Sequence, residues 1–286
     1  METTAPLAVG GNRLRWAELP GFVRETIEAA LADRVVAADS KEGGFSPGLA
    51  SVLTLASGAT VFAKAVSLAR NEFTVAAIRN EADVLRALPP TVPAPRLRWS
   101  YDDGEWVVLV TEAVDGHTPA QPWRRDELAR FLDATTVLAR SLTPSPIAAP
   151  KLADDAEFHV DGWPEATEGT ALLHGDLRAD NFLLTRNGFT VVDWPSVCVG
   201  PPWIDLLFAL PSVAMHGGGD PQELWSAHPL GRDADPDAVD VALAGLAHFF
   251  LTRAKEPTPP LLPTIRQFQQ VQGEITTAWL AARRRN

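Results

Sequence analysis

The sequence predicts an α+β fold of two lobes, an N-terminal antiparallel sheet with one main helix followed by a mostly helical C-terminal half. Three observations predict it. Short apolar segments bounded by turn residues crowd the first part of the chain, and one long stretch of helical period interrupts them. After Asp115-Gly116 the helical period dominates to the end. The length of 286 residues suits two units at a soft prior of about 150 residues each. The reading places the lobes at 1–113 and 114–286.

Each element has its own signal. Val23, Ile27, Ala30 and Leu31 fall on one face of a helix over 20–34. Strands follow at 35–40, 49–56 and 59–66, the last two joined by the turn dipeptide Ser57-Gly58. Gly43, Gly44 and Gly48 crowd the loop between the first two strands, which makes a glycine-rich hairpin. A helix over 71–88 presents Val75, Ile78, Ala82 and Leu85 at helical spacing and stops at Pro89-Pro90. Strands at 96–101 and 106–111 flank Asp102-Asp103-Gly104. In the second half, Leu128, Phe131, Leu132 and Leu138 form the stripe of a helix over 125–141, and further helices are read at 202–213, 237–254 and 263–284. Gly217-Gly218-Gly219 and the Pro-rich stretch 256–263 are read as loops. A short strand pair, 183–185 and 189–192, is separated by Arg186, Asn187 and Gly188, and Asn-Gly suits the positive backbone angles of a tight hairpin. No internal repeat or low-complexity tract is present.

Composition excludes several function classes. Hydrophobic residues make up 46% and charged residues 21%, which is globular composition. The longest apolar run, 241–251, is interrupted and falls far short of the roughly 20 residues of a membrane span. Met-Glu-Thr-Thr-Ala-Pro opens with an acid where a secretory signal carries Lys or Arg, and a single cysteine, Cys198, excludes an intramolecular disulfide. Both features predict a soluble protein of the reducing cytoplasm. Lys and Arg total 25 against 36 Asp and Glu, a formal charge of -11 that argues against a nucleic-acid partner and is compatible with a cationic one.

The most informative stretch is His174-Gly175-Asp176-Leu177-Arg178-Ala179-Asp180-Asn181, followed after the short hairpin by Val192-Asp193-Trp194. The hairpin folds the chain back, so a carboxylate, a carboxamide five residues on and a second carboxylate can converge on one point. Phosphoryl transfer uses that combination: one carboxylate accepts or orients the nucleophile's hydroxyl while hard oxygen ligands hold Mg²⁺ against nucleotide phosphates.

On these residues the sequence resembles the aminoglycoside phosphotransferase family, small-molecule kinases similar in fold to the protein kinases, whose catalytic-loop motif is His-Gly-Asp-x-x-x-x-Asn. The resemblance implies a protein-kinase-like fold with Asp176 as catalytic base, Asn181 and Asp193 as magnesium ligands and His174 as a brace of the loop. Arg178 lies two residues after Asp176, where a protein kinase commonly has Lys, and is read as neutralising charge on the transferring phosphoryl group.

The same resemblance predicts a phosphate-covering loop, a strand lysine and a helix glutamate, in that order. Gly43-Gly44-Phe45-Ser46-Pro47-Gly48 departs from Gly-x-Gly-x-x-Gly but would present backbone N–H groups to the phosphates, with Gly43, Gly44, Ser46 and Gly48 as its nucleotide-binding positions. Lys64 would contact the α- and β-phosphates, and Glu81 would hold Lys64 by an ion pair, with Glu72 as the rival partner. The strand 106–111 runs into Glu112-Ala113-Val114-Asp115-Gly116, which resembles the hinge between lobes. Backbone groups of Glu112 and Val114 would then bind the purine edge. Gly200-Pro201-Pro202-Trp203-Ile204-Asp205 looks like the family's Gly-Asp-Pro-x-x-Asp with Pro201 in the place of the acid, and Asp205 is read as a second brace. Trp194 stands where protein kinases have Phe and is assigned to core packing.

The implied function is Mg-dependent transfer of the γ-phosphoryl group of ATP (or GTP) to a hydroxyl of a small molecule. An antibiotic such as an aminoglycoside leads among acceptors. The rivals are a metabolic kinase acting on choline, homoserine or a sugar, and a noncatalytic nucleotide-binding protein of the same fold. Between 153 and 170 the chain carries Asp154, Asp155, Glu157, Asp161, Glu165 and Glu168 with no Lys or Arg, either a binding surface for a cationic acceptor or a solvated loop. Against an aminoglycoside stands the basic end Arg283-Arg284-Arg285. Trp163 and Trp225 are read as acceptor-pocket or core residues. The acceptor, the hydroxyl modified and the oligomeric state are not legible in the sequence.

Overall fold

A computed structural model describes residues 6, 12–41, 43–158 and 160–285. It begins with helix α1 (Gly21–Leu31), strands β1 (Val35–Ser40), β2 (Leu49–Leu55) and β3 (Thr60–Ser67), helix α2 (Glu72–Ala87), and strands β4 (Leu97–Asp102) and β5 (Trp106–Glu112). The five strands form one antiparallel sheet in the order β1-β2-β3-β5-β4. Asn71 caps α2 by accepting from the Thr74 amide, and Pro89-Pro90 follow its end, where the missing amide stops a helix.

Strand alternation decides what each face carries. Val61, Ala63 and Ala65 of β3 pack with Leu49, Leu53, Val108 and Val110 against Val23 and Ile27 of α1. Their sequence neighbours must face the opposite way, toward α2. Val66, Val107 and Leu109 accordingly join Val75, Ile78 and Leu85 of α2. Lys64, between two α1-facing alanines, is therefore turned to the α2 side.

The chain then enters the helical lobe through β6 (Gly116–His117) and α3 (Arg125–Ser141). Next come α4 (Trp163–Thr167), β7 (Ala171–Leu173), the hairpin β8 (Phe182–Thr185) and β9 (Gly188–Val191), and β10 (Cys198–Gly200). The chain ends in α5 (Ile204–Met215), α6 (Pro221–Ala227), α7 (Pro229–Arg232), α8 (Pro236–Ala254) and α9 (Ile265–Arg283). The small strands form two sheets, β6-β8-β9 and β10-β7. One continuous core runs from α2 through Phe182, Leu184 and Trp194 into Phe131 of α3 and Leu207 of α5, so the two lobes are packed against each other behind the cleft.

The differences from the sequence reading are local. α6, α7 and the short strands β6, β7 and β10 carry too few residues to show a period, although Asp220-Pro221 is a helix-start signal and Asp220 does cap α6. Gly188 opens β9 opposite Thr185 instead of lying in the turn, which leaves Arg186-Asn187 as the connection. α5 starts at Ile204 and continues to Met215 through a buried Pro211. No helix among the described residues is long and apolar enough to cross a membrane.

Candidate active site

Lys64 projects from the middle of β3 into the cleft. Its Nζ lies 2.6 Å from Glu81 Oε2 on α2 and 2.7 Å from Asp193 Oδ1 just beyond β9. Glu72 is exposed in the first turn of α2, away from this pair. Burial opposes ionisation of all three groups. For Lys64 the two carboxylates outweigh it and raise the ammonium pKa, and for Asp193 the lysine outweighs it and holds the carboxyl below its usual range. Glu81, buried on α2, is pushed upward because desolvation exceeds the help from Lys64. Asp193 takes a left-handed backbone, φ 66°, rare for a non-glycine residue and costly unless its surroundings enforce it.

The loop 174–181 leaves β7 and is held from below. The Asp205 carboxylate, at the start of α5, accepts from the His174 amide at 2.8 Å and the Gly175 amide at 2.9 Å. Gly175 has φ +79°, and a Cβ there would lie 2.2 Å from the Ser196 carbonyl oxygen, so no other residue fits this turn. His174 is fully buried; its Nε2 lies 3.1 Å from the Val192 carbonyl and its Nδ1 accepts from the Asp176 amide. Those two partners fit a neutral ring protonated at Nε2, and burial lowers its pKa to match. Trp194 stacks edge-on against it at 4.8 Å and is itself fully buried.

Asp176 is thereby presented at the cleft. Its side chain stays 36% exposed, yet the loop and its neighbours withdraw it enough from water to push its pKa up to about 7, Arg178 opposing and Asp180 and Asp193 reinforcing the shift. Arg178 contacts Asp176 and makes a forked pair with Asp180 at 3.0 Å. Its charge is thus already shared between two carboxylates. Asn181 donates through Nδ2 to the Asp176 backbone oxygen at 2.8 Å and to its carboxylate at 3.1 Å.

This donor set fits a hard divalent cation. Asn181 uses its nitrogen on Asp176, which leaves Oδ1 as a lone acceptor, and Asp193 engages Lys64 through Oδ1 only. Two oxygen donors need further oxygens from phosphate or water to fill a magnesium shell. The described residues hold no cluster of three His, Cys, Asp or Glu that would bind a metal alone.

The glycine loop closes over these groups. Gly48 passes so near β3 that a Cβ would lie 2.7 Å from the Ala65 oxygen, and the Ser46 hydroxyl accepts from the Gly48 amide at 3.3 Å. Gly43 and Gly44 lie over Asp180. Phe45 at the loop tip meets Phe268 of α9 edge-to-face at 5.1 Å, and the Arg178 guanidinium lies 6.0 and 5.7 Å from the two rings. Arg13 donates to the Gly43 carbonyl. Sequence reasoning missed Arg13, Asp180 and Phe268. Asp180 stands inside the motif and was open to discovery, whereas the other two carry no local signal.

The remaining candidates are placed as follows. The Glu112 amide donates to Arg96, its carbonyl accepts from the Thr111 hydroxyl, and Val114 lies in the linker to β6. In the acidic stretch, Glu157 is paired with Arg253, and Glu168 lies 3.2 Å from Lys151. Asp154, Asp155, Asp161 and Glu165 are exposed. Trp163 and Trp225 are buried core residues, Trp163 stacking on Phe158 at 4.4 Å.

Comparison with known proteins bears out the resemblance read from the motif. Residues 122–240 match the model of the phosphotransferase enzyme family, a span that contains His174, Asp176, Asn181 and Asp193. No curated protein sequence matches the chain. Among solved structures, a thermostable mutant of aminoglycoside phosphotransferase APH(4)-Ia in ternary complex with ADP and hygromycin B superposes with a TM-score of 0.63 at 12% identity, over 91% of this chain and 98% of that one. The choline kinase LicA from Streptococcus pneumoniae gives 0.60 at 12% identity, over 91% and 98%. The amicoumacin kinase hAmiN, in complex with AMP-PNP, Ca²⁺ and Ami, gives 0.55 at 11% identity, over 90% and 94%. The fold is the protein-kinase-like fold that these small-molecule kinases share.

Proposed function

We propose that the protein is a magnesium-dependent kinase that moves the γ-phosphoryl group of ATP or GTP to a hydroxyl of a small molecule. The observation that carries this reading is the meeting of Lys64 and Glu81, from the first sheet and α2, with Asp193, Asp176 and Asn181 of the catalytic-loop and hairpin segment. Lobes divided at 113/114 would hold the nucleotide between them, its purine edge on the backbone of Glu112 and Val114 and its phosphates under Gly43, Gly44, Ser46 and Gly48.

In this reading Lys64, oriented by Glu81, binds the phosphates. Asn181 and Asp193 hold magnesium, which when bound neutralises phosphate charge and aligns the transferring group. Asp176 accepts the proton of the acceptor hydroxyl as the new O–P bond forms and the bond from the γ-phosphorus to the β,γ-bridging oxygen breaks, releasing the nucleoside diphosphate, and Asn181 keeps the Asp176 carboxylate in place. Arg178 tempers the charge of Asp176 and Asp180 and lies beside the path of the phosphoryl group. His174 and Asp205 brace the loop.

The acceptor is a small hydroxylated molecule, and an antibiotic, a choline-like alcohol, homoserine and a sugar are the classes to compare. Fold likeness does not choose among them. A cationic acceptor fits the exposed Asp154, Asp155, Asp161 and Glu165. The test is incubation of purified protein with Mg-ATP and a panel of such compounds, read by a mass gain of one phosphate. A phosphorylated product is expected from at least one class. Nucleotide binding without transfer to any compound favours the noncatalytic reading, and absence of nucleotide binding overturns both.

A further inference from the structure

The cleft contains a cation that the roles above leave unused. Four carboxylates, Asp176, Asp180, Asp193 and Glu81, face two committed cations: Lys64 is held by Glu81 and Asp193, and Arg178 by Asp176 and Asp180. Arg13, from the segment before α1, is the third cation. It lies near enough to Asp193 and Asp180 to feel both charges, yet it forms no ion pair among the described residues. One guanidinium nitrogen donates to the Gly43 carbonyl and sits 3.4 Å from the position a Cβ on Gly44 would occupy. Its Nε is buried and has no hydrogen-bond partner among the described residues.

An orphaned, buried N–H on a permanent cation is costly, because desolvation is not repaid by a partner. Such a group persists most readily where a ligand supplies the acceptor. The planar guanidinium suits phosphate oxygens in particular, since it offers parallel donors to one phosphoryl group. Arg13 is also held in place. The Asn12 amide donates to the Leu261 carbonyl of the helical lobe at 3.1 Å, and the Asn12 carbonyl accepts from Arg70 of the sheet lobe. Residue 12 is thus pinned between the lobes, and residue 13 points beneath the glycine loop.

We infer that Arg13 is a ligand of the terminal phosphates of the bound nucleoside triphosphate, supplied by the segment ahead of the first helix. The inference rests on the kinase reading of the cleft. It assigns to Arg13 the charge neutralisation that Arg178, shared between Asp176 and Asp180, supplies only in part. The rival role for a cation at this place is a plug, with Arg13 filling the phosphate space until nucleotide displaces it.

Calorimetric titration of Mg-ATP and of adenosine into the full chain and into R13A, R13Q and R13K separates these outcomes. The ratio of adenosine to Mg-ATP dissociation constants is read within each protein, so a partly unfolded sample does not distort it. Arg13 as a phosphate ligand predicts that R13A and R13Q weaken Mg-ATP at least tenfold and adenosine less than twofold, with R13K intermediate. A ratio within twofold of the parent's, an equal loss for both ligands, or tighter Mg-ATP binding by R13A overturns the inference and leaves the kinase reading intact. A parent protein that binds no Mg-ATP overturns the kinase reading and this inference with it.

Discussion

Lys64 Nζ and Asp193 Oδ1 are 2.7 Å apart, a contact that ties the middle of the first sheet to the end of the β8–β9 hairpin across the cleft. With Glu81 the three form a line of charge, acid–base–acid, that runs from the buried Glu81 to the partly exposed Asp193 with the lysine as its cation. Its side chain is 17% exposed and that of Glu81 only 4%.

Removing Lys64 therefore strands a buried carboxylate. K64M is expected to lower unfolding free energy by about 3–5 kcal/mol, the usual cost of breaking one side of a buried pair. The double variant K64M/E81Q should recover part of that loss, because the amide has no charge to strand, giving a coupling energy of roughly 0.5–3 kcal/mol. Denaturant unfolding measures both. A K64M loss below about 1 kcal/mol, with no recovery in the double variant, would show that Glu81 does not depend on Lys64.

Asp176 should separate binding from chemistry. D176N is expected to bind Mg-ATP as the parent does and to lose about 10²–10⁴-fold in kcat, since the missing carboxylate acts on the acceptor. The pH profile follows from the carboxyl pKa of about 7. A base works only unprotonated, and a raised carboxyl pKa means that protonation starts as pH falls through 7. Thus kcat/KM of the parent should decline about tenfold per pH unit below that point. A flat profile from pH 5 to 8 would remove Asp176 as the base.

The parts of this site differ in how legible they are in the sequence. Lys64, Glu81, Asp176, Asn181 and Asp193 stand out because each occupies a fixed step in an ordered series of strand, helix and hairpin. The sequence favours Glu81 over its rival Glu72 on the same helix; nine residues at 3.6 per turn put the two on opposite sides, and the packing of α2 on the sheet turns Glu81 toward Lys64. Phe45 and Phe268 meet only because the glycine loop bends down to α9, a tertiary event with no local pattern. Arg13 precedes the first periodic element, so nothing in its neighbours marks it.

The oxygen pair of Asn181 and Asp193 should make nucleotide binding depend on a divalent cation, because polyphosphate and the cleft acids repel each other without one. Chelation of magnesium is expected to weaken ATP binding to the parent by at least tenfold. D193A should lose most of that dependence and show no phosphate transfer. If D193A binds Mg-ATP as tightly as the parent and still transfers phosphate, Asp193 is not a metal ligand.

Cys198 tests the packing behind the loop, where β10 pairs with β7 and Cys198 faces Leu173. Burial, with Asp205 and Asp155 adding, pushes its thiol up to about 12. At pH 8 the thiolate is then on the order of 10⁻⁴ of the total, and the thiolate is the reactive form. Iodoacetamide should leave the folded protein unlabelled at pH 8 over a period that fully alkylates the denatured chain. Equal labelling of both would mean that this strand pair opens readily.

The acceptor's charge can be read from salt before its identity is refined. Glu157 and Glu168 already have Arg253 and Lys151 as partners, so a cationic acceptor would draw on Asp154, Asp155, Asp161 and Glu165 and on the net charge of -11. Contacts between exposed carboxylates and ammonium groups are worth only about 0–1 kcal/mol each, so several must act together. Such attraction fades as ionic strength passes about 0.1 M, where the Debye length is near 10 Å. For the acceptor identified by mass gain, KM should therefore rise across that range while kcat changes little. The variant D154N/D155N should raise KM at low salt in the same way and show a weaker salt response, because it has already lost part of the field that salt screens. A neutral acceptor, or a KM insensitive to both changes, would return these acids to the role of a solvated loop.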